Sequence, residues 1–287
     1  MTPLRQRFID DLRLRNYAPR TIEAYVAGVA RLAQHFGRSP DQLGPDDVRA
    51  FQLYLIDRGY SWRLFNQTAC ALRFFYGTTL GRPDQVPFIP YGKRPKVLPC
   101  VLSPDEVLLL LEAAAPGRDR VLLQTIYACG LRLSELLHLQ VADIDSARMV
   151  VHVRQGKGAK DRLVPLSQRL LDELRAYWRQ YRPRTWLFPG ASADRPMTAS
   201  NVQRLFQRLV QQAGIRKPAT PHTLRHSYAT HLLEAGIDVV TLQKILGHRD
   251  LSTTAHYLHL TTNRLRQTPS LLDLLALPRA TGVEGQP

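Results

Sequence analysis

Arg148-Met149-Val150-Val151-His152-Val153 and Arg162-Leu163-Val164-Pro165-Leu166 read as two short strands, with Gly156-Lys157-Gly158 in the turn between them. The sequence around this hairpin reads as helix. Upstream, apolar residues recur at helical spacing over about 104–115, 118–129 and 132–139. Downstream they do so over about 167–181, 199–213, 222–235, 238–246, 252–258 and 263–277. Ser103-Pro104-Asp105-Glu106 marks where this half begins: an N-cap, a proline at the first helical position and two acids in the first turn. A mixed α/β domain follows, mostly helical, with a small sheet.

The N-terminal half has a different texture. Leu4, Phe8, Leu12 and Leu14 form one apolar stripe. Pro19 and Thr21 open a second helix carrying Ile22, Tyr25, Val26, Val29, Leu32 and Phe36. Pro45-Asp46-Asp47 starts a third with Val48, Phe51, Leu55 and Ile56, stopped at Gly59, and 62–80 makes a fourth. Four helices with short loops suit a small bundle over 1–82. From 83 to 100, prolines at 83, 87, 90, 95 and 99 break both periodicities, and Lys93, Arg94 and Lys96 add charge. That stretch is expected to be an extended linker able to follow a phosphate backbone, or simply a stiff spacer.

The formal net charge is +15. Residues 1–100 hold 15 basic and 8 acidic side chains, and 101–287 hold 24 and 16, so both halves favour a polyanion. Arginine supplies 33 of the 39 basic residues, so part of the basicity could be a compositional bias of the genome. Hydrophobic content of 44% is enough for proper cores and excludes global disorder. Cys70, Cys100 and Cys129 are odd in number and lack a Cys-x-x-Cys pair, which argues against a disulfide framework and fits a reducing cytoplasm. No apolar run approaches the ~18 residues of a membrane span, and the first residues lack a signal peptide's apolar stretch, so a soluble cytoplasmic protein is expected.

Four separated stretches end on groups suited to a phosphodiester. Arg132 follows Gly130 at a helix start, where a guanidinium grips phosphate oxygens bidentately; its ordinary alternative is a surface ion pair with Glu135. Lys157 sits in the glycine-flanked turn, where an ammonium could protonate a leaving oxygen, with Lys160 and Arg162 as competing candidates. His222 and Arg225 share one face in the first turn of a helix opened by Pro221. His226 and His231 lie off that face and read as packing or surface residues. Gly247-His248 ends a short helix, and Tyr257 follows about one turn into the next. A phenol with an ordinary pKa of about 10 is a poor nucleophile, but clustered cations stabilise its phenolate. Histidines without carboxylates at ligand spacing give no support to a metal site.

In this order, the motifs resemble those of the tyrosine recombinase (phage integrase) family, most closely its short Xer-type members. Gly-Leu-Arg-x-Ser-Glu-Leu around Arg132, Gly-Lys-Gly-x-Lys-x-Arg around Lys157, Pro-His-x-Leu-Arg-His at 221–226 and Leu-Gly-His at 246–248 leading to Tyr257 carry the likeness. The resemblance implies a mainly α protein: a helical core-binding bundle (1–82), a linker (83–100), a catalytic domain (101–268) and a terminal segment (269–287), closing on DNA as a C-shaped clamp. It implies catalytic roles for Arg132, Lys157, His222, Arg225, His248 and Tyr257, with no cofactor and no metal. Tyr257 would attack the scissile phosphate to give a 3′-phosphotyrosyl bond, Arg132 and Arg225 would hold the non-bridging oxygens, and Lys157 would protonate the leaving 5′-oxygen. His222 would act as base and His248 would orient the phosphate, a division the sequence leaves open. The implied partners are double-stranded DNA, three further copies in a homo-tetramer on two sites, and an accessory recombinase or DNA-bending protein. The apolar face of 270–277 (Leu271, Leu272, Leu274, Leu275, Leu277) folds back on its own domain or, as the resemblance implies, docks into a neighbouring subunit. Two other readings fit less of the pattern: a DNA-binding protein without catalysis, and a type IB topoisomerase.

Overall fold

A computed structural model describes residues 2–93, 98–154 and 161–258. Lys157, the turn around it, and 259–287 with the expected helix at 270–277 lie outside the described residues. The chain divides into two compact units, Met1–Val97 and Leu98–Pro287.

The first unit holds α1 (Pro3–Leu14), α2 (Pro19–Phe36), α3 (Pro45–Asp57) and α4 (Trp62–Phe74), the last continued by a π-turn over Phe75–Thr79. Three of these helices open on proline, whose missing N–H costs nothing in a first turn. Thr2 and Ser61 cap α1 and α4 with side-chain oxygens. The apolar stripes meet in a core rich in aromatics: Phe8, Phe51, Phe65, Phe75 and Tyr76 are buried, with Phe8 edge-on to Phe75 at 5.3 Å. Gly28 lets α2 approach α4 closely, because a Cβ there would lie 3.3 Å from that of Ala71. The proline-rich segment departs from an extended run. Pro83–Phe88 is a 3₁₀ turn, and Arg73 donates to the carbonyls of Val86 and Ile89. Ile89 is buried, Gln52 donates to the carbonyl of Pro90, and Asn66 exchanges two hydrogen bonds with Gly92. The prolines block α and β periodicity, and the backbone groups so freed are satisfied by side chains of the bundle.

The second unit contains α5 (Pro104–Ala113), α6 (Arg118–Cys129), α7 (Leu133–Leu137), β1 (Ile144–Asp145), β2 (Val150–Val153), β3 (Arg162–Pro165), α8 (Gln168–Tyr181), α9 (Ala199–Gln212), α10 (Pro221–Glu234), α11 (Val239–Leu246) and α12 (Leu251–Ala255). Ser103 caps α5 as expected, and Glu106 answers it in a reciprocal capping box. The two expected strands pair antiparallel, Val151 opposite Val164, and a third strand too short to read from sequence joins as β1. Val151, Val153 and Val164 face a core shared with Leu122, Leu123, Ile126, Leu170, Leu174, Phe188 and Phe206. A smaller cluster of Ala229, Leu233, Leu242, Leu246 and Tyr257 ties α10 to α11 and to the turn after α12. These two clusters bring the ends of α6 and α11, the start of β3 and the first turns of α10 to one place.

Candidate active site

Two left-handed glycines prepare the site. Gly130 ends α6 at φ 57°, and a Cβ there would meet the Tyr228 ring at 2.4 Å. Gly247 ends α11 at φ 63°, and a Cβ would lie 2.8 Å from Cδ of Arg162. Each glycine turns the chain sharply, so the last carbonyls of its helix point into the site instead of to water. Guanidiniums accept that invitation. Arg225 donates to the carbonyls of Gly130 and Leu246 (2.7 Å to the latter), Arg162 Nε to that of Ile245 at 2.8 Å, and Arg132 to that of Gly247 at 3.4 Å. The negative end of the α11 dipole thus faces three cations.

Glu135 sits beneath them. Its carboxylate takes a bidentate pair from Arg162 at 2.9 and 2.8 Å, and one bond each from the side chain and backbone N–H of Arg132 at 2.6 and 2.8 Å. Nη1 of Arg225 lies 3.7 Å away. Burial would push this carboxyl up, but the hydrogen bonds and charge of Arg162, and then those of Arg132, hold it at about 2. Arg132 does pair with Glu135, as its ordinary reading had it, yet the pair is the edge of a buried cluster and not a surface bridge. Arg225 is 1% exposed. Burial and the nearby Arg132 charge draw its pKa down to about 10, against the pull of Glu135, so it is a cation at neutral pH.

His248 follows Gly247 directly. Its Nε2 lies 3.1 Å from Nη2 of Arg225, and its Nδ1 lies 2.8 Å from Oγ1 of Thr254. A guanidinium only donates, so Nε2 accepts and the ring proton sits on Nδ1, given to Thr254. Burial, then the charges of Arg225, Arg132 and Arg162, push the His248 pKa down to about 4. His222 opens α10 and is exposed, its ring edge-on to His226 at 4.6 Å. Partial desolvation and the charges of Arg225 and Arg132 lower its pKa as well.

Tyr257 lies just beyond α12, which ends at Ala255, three residues short of the 252–258 span expected from the sequence. It is 4% exposed, packed against Leu242 and Leu246, with its ring parallel to that of His248 at 6.3 Å. Its hydroxyl lies 3.0 Å from Nδ1 of His226. Burial raises its pKa, and Arg225 and Arg132 work against that rise.

Five of the six residues singled out in the sequence therefore share one neighbourhood; Lys157 lies outside the described residues. Three residues matter here in ways that sequence reasoning missed. Glu135 was visible only as a partner for Arg132, and Arg162 only as a competitor of Lys157. His226, read as packing or surface, contacts the phenol, and nothing in its spacing from Tyr257 announces that. His231 instead pairs with the Tyr127 hydroxyl at 2.8 Å. Among the described residues no group of histidine, cysteine or carboxylate side chains could hold a metal.

A ring of guanidiniums on a buried carboxylate, with imidazoles and a phenol alongside, set in a helical domain with a three-stranded antiparallel sheet, defines an enzyme built to hold an anionic ester. Residues 101–264 match the phage integrase family, and residues 4–85 match the phage integrase N-terminal SAM-like domain. The chain is 47% identical over 290 residues to "Putative integrase/recombinase y4qK" of Sinorhizobium fredii, covering 100% of this chain and 94% of that one. It is 36% identical to tyrosine recombinase XerA of Thermococcus kodakarensis, over 94% of this chain and 95% of the relative. The fold superposes on a lambda integrase tetramer bound to a Holliday junction with a TM-score of 0.74 at 20% identity, over 91% of this chain and 77% of that one. The chain belongs to the phage integrase family, and it is a site-specific DNA recombinase of the tyrosine type, similar to the Xer enzymes.

Proposed function

We propose that Tyr257 is the nucleophile and that Arg132, Lys157, His222, Arg225 and His248 complete the catalytic set. Tyr257 attacks the scissile phosphate in line, leaving a 3′-phosphotyrosyl bond and a free 5′-hydroxyl. Arg132 and Arg225 take the non-bridging oxygens, and removal of one such donor commonly costs about 10²–10³ in rate. Lys157 protonates the leaving oxygen. His248 holds Arg225 in place, and His222 lines the phosphate's entry. Resealing by a partner strand's 5′-hydroxyl needs neither ATP nor metal, because the covalent link conserves the ester. The observation that carries this reading is the position of the Tyr257 ring, parallel to the ring of His248, which itself accepts from Arg225.

Double-stranded DNA is the substrate, with 1–82 as its core-binding domain, 83–100 as linker and 101–268 as catalytic domain. The positive charge of both halves supports this. The active assembly is a homo-tetramer on two sites, linked by the apolar segment at 270–277; the lambda integrase of the same fold is a tetramer bound to a Holliday junction. An accessory recombinase or DNA-bending protein completes it. The three free cysteines fit a cytoplasmic setting, and among the described residues no helix is long and apolar enough to cross a membrane.

The test uses nicked suicide duplexes with a randomised core. The wild-type chain is expected to capture a subset as SDS-stable adducts, and Tyr257→Phe to capture none. An adduct formed by Tyr257→Phe would remove Tyr257 as nucleophile.

A further inference from the structure

We propose that His226 is the base that takes the proton of Tyr257 as its oxygen attacks phosphorus. The inference rests on Tyr257 being the nucleophile. Its Nδ1 is 3.0 Å from the phenol oxygen, and it is the one hydrogen-bond partner of that hydroxyl among the described residues. The two rings lie 5.6 Å apart, and the tyrosine is 4% exposed, so bulk water has little access to the phenol.

The other two histidines are placed for other work. His248 has both ring nitrogens engaged, Nε2 by Arg225 and Nδ1 by Thr254, and has no lone pair to offer a phenol. His222 is exposed and meets His226 edge-on, and the hydrogen bond to the Tyr257 hydroxyl comes from His226, not from His222. On this arrangement the phenol O–H bond breaks, its proton passes to Nδ1 of His226, and the electron pair left on oxygen forms the O–P bond. The P–O5′ bond breaks in the same displacement, and the 5′-oxygen leaves with a proton from Lys157.

The electrostatics make this step conditional on substrate. Desolvation, then His222 and Arg225, hold the resting His226 pKa near 4, so it is a neutral, open acceptor at neutral pH but a weak base. A bound phosphodiester brings a negative charge among His222, Arg225 and Arg132, which strengthens His226 as an acceptor. The guanidiniums meanwhile favour the phenolate. Deprotonation is then coupled to phosphate binding, and Tyr257 stays a quiet phenol without DNA.

The probe is a nicked suicide duplex selected by the wild-type chain, made also with a 5′-bridging phosphorothiolate whose sulfur leaves without needing a proton. His226→Gln keeps a hydrogen-bonding group but cannot take the proton. It is expected to bind the duplex as wild type does and to form adduct about 10²–10⁴ times more slowly. The deficit is expected to persist on the phosphorothiolate duplex, which places it on the nucleophile's side. A loss below tenfold, a faster reaction, or a deficit erased by the phosphorothiolate would overturn the proposal. His226→Asn gives the same discrimination if His226→Gln does not fold, as judged by its thermal transition. Failure of Tyr257 itself is read separately: Tyr257→Phe would then still form adduct, whatever His226 does.

Discussion

The two units of this chain use their charges in opposite ways. In the first, ion pairs such as Arg13–Asp10 and Arg38–Asp47 lie where solvent reaches them, and among the described residues the buried polar side chains are neutral: Gln52, Thr68 and Thr79. Its core is aromatic and aliphatic. The second unit buries Glu135 and Arg225 outright, with the Arg162 side chain 9% exposed. Exposed pairs are worth ~0–1 kcal/mol each, whereas buried ions cost several kcal/mol unless fully paired. The first unit is thus built by burial, and the second spends part of its stability on holding cations out of water. The difference shows where the chemistry is: a phosphate arriving among guanidiniums already stripped of water meets a charge that solvent does not screen.

Glu135→Ala tests that contrast most severely. It leaves Arg225 and Arg162 buried without their carboxylate, a loss of about 3–5 kcal/mol. Denaturant titration with hydrogen exchange is expected to place the loss in Leu98–Pro287, and adduct formation is expected to fall with it. Phe51→Ala in the first unit removes a fully buried ring from an apolar core and costs about 3 kcal/mol through the cavity left behind. Here exchange is expected to rise within Met1–Val97, with no new charge to satisfy. Equal effects on both units from either substitution would break the comparison.

Acid gives the mildest test. Glu135 has a folded pKa of about 2 against an ordinary 4.5, so its contribution is fully present above pH 4.5 and is lost as pH falls toward 2. The shift corresponds to about 3 kcal/mol at full protonation, spread over that window. The second unit is therefore expected to lose stability between pH 4.5 and 2, and Glu135→Gln to flatten that part of its profile. His226 and His248, both pushed down from 6.5 to about 4 chiefly by burial, act earlier: their unfolded forms take up protons as pH falls from about 6.5 toward 4 while the folded forms do not, so stability is lost over that window. Glu135→Gln is therefore expected to flatten the profile below pH 4.5 and to leave the earlier, histidine-linked slope between pH 6.5 and 4 in place.

Much of this protein can be read without coordinates. Helix starts at Pro19, Pro45 and Pro104 follow from capping chemistry, which is local and survives any tertiary context. The hairpin of β2 and β3 follows from β-branched runs around a glycine turn, whereas β1, two residues long, has no periodicity to detect. The proline-rich segment misleads, since proline excludes helix and strand but does not say whether the chain stays extended. Residues 83–92 fold back because Arg73, Gln52 and Asn66 wait for their backbone groups, and those partners are 10 or more positions away.

The sequence by itself determined the chemical inventory and its family: two clamp arginines, a turn lysine, His222 and His248, and a tyrosine after Leu-Gly-His. Tertiary structure alone decided who touches whom. Glu135 joins Arg132 through local spacing but Arg162 across 27 residues, Arg225 meets carbonyls 95 and 21 residues away, and His226 reaches Tyr257 across 31. The physical reason is that a buried charge or phenol must find partners wherever the packed core delivers them. Linear spacing encodes one helix face, and here four chain segments converge on a single cluster of charges.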